Sequence, residues 1–156
     1  MELNMVDYEW AEELLKRVSF LKDLGESEIK TLVKSLDYSE FKAGQTILFQ
    51  GEISNRLYVV KKGTLSVVVS KKGQKTKVAE LHSGDYFGEI SLLEPTAATA
   101  TIKSEEPTVV VALDGKHFKR IMASIPSALE NITEKIKARR EAMKPKEPAP
   151  QPEQPK

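Results

Sequence analysis

The stretch Phe87-Gly88-Glu89-Ile90-Ser91-Leu92-Leu93-Glu94-Pro95-Thr96-Ala97-Ala98-Thr99-Ala100-Thr101 has residue types and spacing suited to holding a phosphorylated sugar. A glycine and an acid open a short apolar turn of helix, and Pro95 leads the chain back into a β-rich run. Backbone N–H groups at a helix N-terminus face an anion, and a glycine there lets the ligand approach closely. Glu89 repels the phosphate itself, but its carboxylate can accept a hydrogen bond from a ribose hydroxyl. Ser91 and Thr99 add hydroxyls to the same stretch.

This stretch resembles the phosphate-binding cassette of the cyclic nucleotide-binding domain family. There the pattern is roughly Phe-Gly-Glu, three small or apolar residues, a short loop, then Pro-Arg-Ala-Ala-Thr. The resemblance extends upstream. Phe41-Lys42-Ala43-Gly44-Gln45-Thr46-Ile47-Leu48-Phe49-Gln50-Gly51-Glu52 and Asn55-Arg56-Leu57-Tyr58-Val59-Val60-Lys61-Lys62-Gly63-Thr64-Leu65-Ser66-Val67 are similar to the family's barrel opening. Downstream, Ala112-Leu113-Asp114 followed by Phe118 is similar to its strand-to-helix junction. Dispersed motifs in the right order are more specific than any one alone. They run from about Val18 to Ile132.

The resemblance implies a role for each cassette residue. Glu89 accepts from the ribose, while Gly88, Ile90 and Ser91 offer backbone donors to ribose and phosphate. Ala97 and Ala98 contribute backbone contacts and small side chains beside the phosphate. In cGMP-selective relatives a Thr or Ser often follows the arginine, so Ala97 points to cAMP before cGMP. The last helix either caps the base or forms a weak homodimer seam, with Ile132 and Ile136 as the residues concerned.

One departure is costly. Thr96 stands where the family has its phosphate-pairing arginine, and the loop before Pro95 is shorter than is usual there. A charge-assisted hydrogen bond to a sheltered phosphate contributes about 1.5–3 kcal/mol, so its loss weakens binding roughly ten- to a hundredfold. Thr96 offers one neutral hydrogen bond, and Glu94 adds a like charge. Arg56, Lys61, Lys62 and Lys103 are the cations that could compensate. Two functions therefore compete. One is a ligand-gated regulatory module, in which nucleotide draws in the C-terminal helices and changes the surface offered to a protein partner. The alternative is a degenerate domain serving as a protein-interaction module without nucleotide. The position of those cations discriminates them. A different anionic ligand is a third reading.

The elements that must position the cassette follow from periodicity. Trp10, Leu14 and Leu15 form an apolar stripe within a helix over 8–17. Ile29, Leu32, Val33 and Leu36 do the same over 26–36, with Gly25 as N-cap and Glu26 and Glu28 in the first turn. From residue 37 to 113 the pattern is β, with strands over 46–49, 57–60, 65–70, 75–81, 98–103 and 108–113 and a hairpin turn at Lys71-Lys72-Gly73. Asp114 caps a helix to about Ser124, and Pro126 opens a last helix to about Met143. On that helix Ile125 and Leu129 are expected to pack on the fold. The fold class is mainly β with flanking helices, a β-roll interrupted by the cassette helix. The chain divides into an N-terminal helix over 1–17, the domain over 18–143, and a Pro-rich tail over 144–156 expected to be disordered.

Composition narrows the function classes. At 156 residues and 40% hydrophobic, the chain suits one domain with a single sizeable core. Its net charge of +1 gives no electrostatic demand for nucleic acid or membrane. A chain without cysteine has no disulfide and no thiol chemistry. With two histidines, His82 and His117, a metal centre or other cofactor is not expected, and no nucleophile–base spacing marks an enzyme. Neither a signal peptide nor a spanning apolar run is apparent, so membrane insertion is not expected and the cytoplasm is the expected location. DNA binding is disfavoured because the Pro-rich tail follows the last helix, in place of a helix-turn-helix.

Overall fold

The computed structural model of the protein describes residues 5–22 and 24–143, with side chains described over 8–22 and 24–138. The Pro-rich tail lies outside the described residues. Two helices, α1 (Met5–Arg17) and α2 (Glu26–Lys34), precede the sheets, and α3 (Gly115–Met122) and α4 (Pro126–Met143) follow them. The strands are β1 (Asp37–Phe41), β2 (Thr46–Leu48), β3 (Ile53–Ser54), β4 (Arg56–Lys62), β5 (Leu65–Lys71), β6 (Gln74–Leu81), β7 (Tyr86–Phe87), β8 (Thr96–Ala97), β9 (Thr101–Ser104) and β10 (Thr108–Asp114). A 3₁₀ turn, Glu89–Leu92, interrupts them between β7 and β8 and is called the cassette turn below.

One sheet has the order β1-β10-β4-β7 and the other β2-β9-β5-β6, with antiparallel neighbours throughout. A small arm, β3 paired with β8, stands beside the cassette turn. The two layers enclose Leu48, Val60, Leu65, Ile102 and Val110, and the opposite face of the first sheet packs under the helices. Strand alternation explains the division. Leu57 and Val59 of β4, with Val111 and Leu113 of β10, face the helices, whereas Val60 and Val110 face into the roll. β10 is thus covered on both faces, which is why Thr108-Val109-Val110-Val111-Ala112-Leu113 is one buried run.

The helical layer is built from stripes. Ala11, Leu14 and Leu15 of α1 meet Ile29, Leu32 and Val33 of α2, joined by Phe118 and Met122 of α3. Each of the larger side chains withdrawn from water contributes about 1.5–3 kcal/mol. α2 begins after Gly25, which supplies no side-chain cap, and carries Glu26 and Glu28 in its first turn. Asp114 caps α3 by accepting from the Lys116 N–H at 2.7 Å, and Pro126 occupies the first position of α4.

Four expectations need correction. Strand β1 was not expected as a separate strand, because Asp37-Tyr38-Ser39-Glu40-Phe41 alternates charge with partial burial and is held by pairing to β10. Strands β3 and β7 are two residues each, too short to carry a period. The strand expected over 98–103 begins only at Thr101 as β9, and a separate strand, β8, comes before it at Thr96–Ala97, because the chain leaves the arm to join the second sheet. α4 also departs from expectation. Ile132 and Ile136 are buried deepest, at 3% and 0% exposed, while Ile125 and Leu129 pack only partly at the margin of the same core. A dimer seam using Ile132 and Ile136 would first have to withdraw them from that core.

Candidate functional site

β4 and β7 deliver the chain to the cassette turn, and the first requirement there is Gly88. It adopts φ 87° and ψ 19°, and a Cβ on it would lie 2.6 Å from the Arg56 carbonyl oxygen. A left-handed backbone passing this close to a strand admits glycine and little else. Beyond it, Glu89 is 8% exposed, Ser91 is buried, and Leu92 anchors the turn in the helical core.

The turn is 3₁₀ and not α, which changes its donors. The Ser91 N–H closes on the Gly88 carbonyl at 3.0 Å, and the Leu93 N–H on Ile90 at 3.0 Å. The backbone donor expected from Ser91 is therefore already used within the turn. On the arm, the Ala98 N–H donates to the Glu52 carbonyl at 2.9 Å, and its carbonyl accepts from Gly51 at 2.8 Å. Thr96 pairs in register with Ser54 and Ala97 with Ile53. The Thr96 hydroxyl donates to the Glu94 carbonyl at 2.9 Å. Pairing within the arm thus consumes hydrogen-bonding capacity that the sequence had assigned to ligand.

The four candidate cations are dispersed. Arg56 shares the roll face of β4 with Tyr58 by alternation, and its guanidinium lies 3.6 Å from the Asp37 carboxylate. Lys61 faces the helices, its ammonium 5.1 Å from the Trp10 ring centroid and 5.0 Å from that of Tyr38. Lys62 ends β4 opposite Val109, and Lys103 is exposed on β9, opposite Thr46 and Ser66. Only Arg56 belongs to the same wall as the cassette.

Sequence reasoning missed a second wall. Tyr58 stacks on Phe87 at 4.8 Å and 11°, and burial pushes its phenol above the ordinary value of 10.0. Arg56 and a hydrogen bond with the Ser54 side chain oppose that shift, and Glu52 adds to it. Glu52, Ser54 and Arg56 are therefore all neighbours of Tyr58, beside the stack with Phe87. The usable signal was their alternate spacing, 52, 54, 56 and 58, leading into β4.

The cassette turn also touches α3. Gly115, the first residue of α3, donates its N–H to the Asn55 carbonyl at 2.7 Å. A Cβ there would lie 3.0 to 3.1 Å from the carbonyl oxygens of Asn55, Leu92 and Ser91. The C-terminal helices thus start directly on the back of the turn. His82 and His117 sit apart, their rings beside the carboxylates of Glu80 and Asp114 respectively. Among the described residues no three His, Cys, Asp or Glu side chains gather as metal ligands, and no helix is long and apolar enough to cross a membrane.

A two-layered roll broken by a glycine–acid turn, with helices seated on that turn, is the architecture of a ligand-binding regulatory domain. Residues 38–125 match the family described as Cyclic nucleotide-binding domain, and the chain belongs to that family. A cAMP-dependent protein kinase regulatory subunit of Dictyostelium discoideum is 34% identical over 127 residues, covering 79% of this chain and 39% of the relative. A solved regulatory subunit of a cAMP-independent protein kinase A from Trypanosoma cruzi, bound to guanosine, is 28% identical with TM-score 0.65, covering 76% of this chain and 42% of that one. The corresponding Trypanosoma brucei subunit, solved as a triple mutant bound to cAMP in the A site, is 26% identical with TM-score 0.70 over 90% of this chain and 49% of that one. One of its three substitutions replaces a threonine by arginine. The chain thus spans less than half the length of these relatives. The matched family is a nucleotide-binding domain and the relatives are regulatory subunits, neither of them catalytic.

Proposed function

We propose that this domain is a ligand-gated regulatory module whose roll mouth takes a purine ribose, anchored by the Glu89 carboxylate, and whose occupancy is passed to α3 and α4. The observation that carries this is the position of Glu89. It is nearly buried at the start of a turn whose other side carries the carbonyls packed on Gly115. A ligand that pulls Glu89 therefore moves the seat of α3, and α4 follows as a lid whose Ile132 and Ile136 are already seated in the helical core. The ligand needs differential contact with the two arrangements to shift their populations, and the ribose–Glu89 hydrogen bond supplies it.

Among cyclic nucleotides cAMP is the better fit, since Ala97 has no hydroxyl to hold a guanine. The Dictyostelium relative supports regulation by cAMP and a kinase catalytic subunit as the kind of protein partner. The guanosine in the Trypanosoma cruzi relative supports a mouth that also accepts an unphosphorylated ribose. The test is calorimetric titration with cAMP, cGMP, adenosine and guanosine, repeated on Glu89→Ala. Binding of at least one that Glu89→Ala abolishes is expected. No binding of any of the four at millimolar concentration, by a folded protein, would refute the reading and leave the interaction-module alternative in its place.

A further inference from the structure

Away from the cassette, β6 lies at the end of the second sheet. Among the described residues it pairs with β5 alone, so the N–H and C=O groups of its outer edge have no strand beside them. Its side chains are open as well. Gln74 to Glu80 are all exposed, without the alternation that one covered face would give, and Val78 is 56% exposed. A strand uncovered on both faces and along one edge is held by its pairing with β5 and little else. At the tip, Lys72 and Gly73 both have positive φ, as a type I′ turn requires, so the turn itself fixes how β6 runs back along β5.

Charge is segregated along this edge. Lys71, Lys72 and Lys75 crowd the tip, and among the described residues none of them has an ion-pair partner. Lys77 is neutralised: its ammonium lies against the Glu80 carboxylate and 3.0 Å from that of Glu105, so the base of the hairpin carries an excess of negative charge. We infer that β6 pairs with β6 of a second copy of this chain, antiparallel about a two-fold axis near Lys77. That arrangement sets Lys75 of each copy opposite Glu80 of the other, and each basic tip against the acidic base of the other hairpin. Glu80 can serve Lys77 and the incoming Lys75 together, because a carboxylate accepts several donors. Parallel pairing would set lysine against lysine, and like charges directly opposite are unfavourable. Lysines on an edge repel most strands. Separated from the carboxylates as they are here, they refuse other registers and admit this one. The two-fold closes the contact, so assembly stops at a dimer. Pairing along a single strand buries less than a standard interface, which makes the dimer weak and salt-sensitive.

The experiment is sedimentation equilibrium of the full chain from micromolar to millimolar concentration, at low and high salt, with amide NMR spectra at both ends of the range. The mass is expected to rise from the 17.4 kDa of one chain toward twice that, and to rise less in high salt. The amide signals that move with concentration are expected to be those of β6. Lys75→Glu and Glu80→Lys change exposed side chains, and each should weaken dimerisation at least about tenfold, since each sets like charges opposite one another twice. Mixed together, the two variants should dimerise again, because every facing pair is then of opposite sign. The double variant should do so by itself. A chain that stays monomeric at millimolar concentration overturns the inference. If an added oligoglutamate peptide then moves the β6 amides, an acidic segment is the occupant in place of a second copy. A dimer indifferent to both variants, or one whose concentration-dependent amide shifts fall on α4, overturns it equally.

Discussion

Replacing Gly88 by alanine tests whether the cassette is held by backbone conformation alone or by its contact with β4. Two costs are expected. An L-residue at φ 87° pays the left-handed penalty, about 1–2 kcal/mol. The added Cβ would also lie 2.6 Å from the Arg56 carbonyl oxygen, inside the 3.0 Å that real Cβ atoms essentially never breach. That carbonyl begins a strand paired with β10 on one side and β7 on the other, so it cannot simply turn away. Forced overpacking of this kind costs about 1–3 kcal/mol, giving roughly 2–5 kcal/mol for Gly88→Ala. Gly51 supplies the matched control, with φ 89° and nothing within 4 Å of the added methyl. Gly51→Ala should therefore show the conformational cost alone. In urea, with a slope of about 2 kcal/mol/M, the midpoint should fall by roughly 1–2.5 M for Gly88→Ala and by about 0.5–1 M for Gly51→Ala. Equal midpoints would mean that the close pass to β4 contributes nothing, and the account of the cassette as wedged against β4 would be wrong.

Other predictions follow from single contacts. Ile136→Ala should destabilise by about 2–5 kcal/mol by chemical denaturation, because Ile136 is wholly buried in the helical core; a loss under 1 kcal/mol would restore a lid or seam that is free of that core. Asp114→Ala removes acceptors from Lys116 N–H and from the Asn55 amide, and should cost about 1 kcal/mol, a fall of roughly 2–4 °C in Tm by calorimetry. Tyr58 has a folded-state pKa above 10.0, raised first by burial, so its contribution is fully present below pH 10.0 and is lost as pH rises through the folded value. The alkaline limb of stability should therefore be shallower in Tyr58→Phe than in wild type, and parallel limbs between pH 8 and 11 would count against the buried phenol.

The architecture was legible where local chemistry and tertiary packing agree. The Asp114 cap, the Pro126 start and the doubly covered β10 each carry their own signal in residue type and period. β1 was harder, because an edge strand held by backbone pairing with β10 does not need an apolar alternation of its own. Burial along α4 was misjudged for a related reason. The stripe Ile125, Leu129, Ile132, Ile136 shows which face is apolar, but where along that face the neighbouring elements lie is a tertiary matter. The cassette itself was found, with Gly88 and Glu89 at its head. Its donors could not be counted from sequence, because a 3₁₀ turn uses the Ser91 N–H that an α-helical first turn would leave open.

That difference bears on how the domain can signal. An α-helical cassette with open N–H groups can be tightened by an anion, whereas the Ser91 N–H of this turn is already closed on Gly88, and uncharged Thr96 stands where a cation would pair with that anion. The proposed handle is Glu89, and behind it Gly115 passes close to the carbonyls of Ser91, Leu92 and Asn55. Those carbonyls sit at 3.0 to 3.1 Å from where a methyl would go, so the first residue of α3 has to be small to lie this close to the turn. Asn55 links the same point to the Asp114 side chain at 3.3 Å, so the start of β4 and the cap of α3 move with it. Under the proposed function, coupling would run from a pull on the Glu89 carboxylate through the close backbone approach behind it.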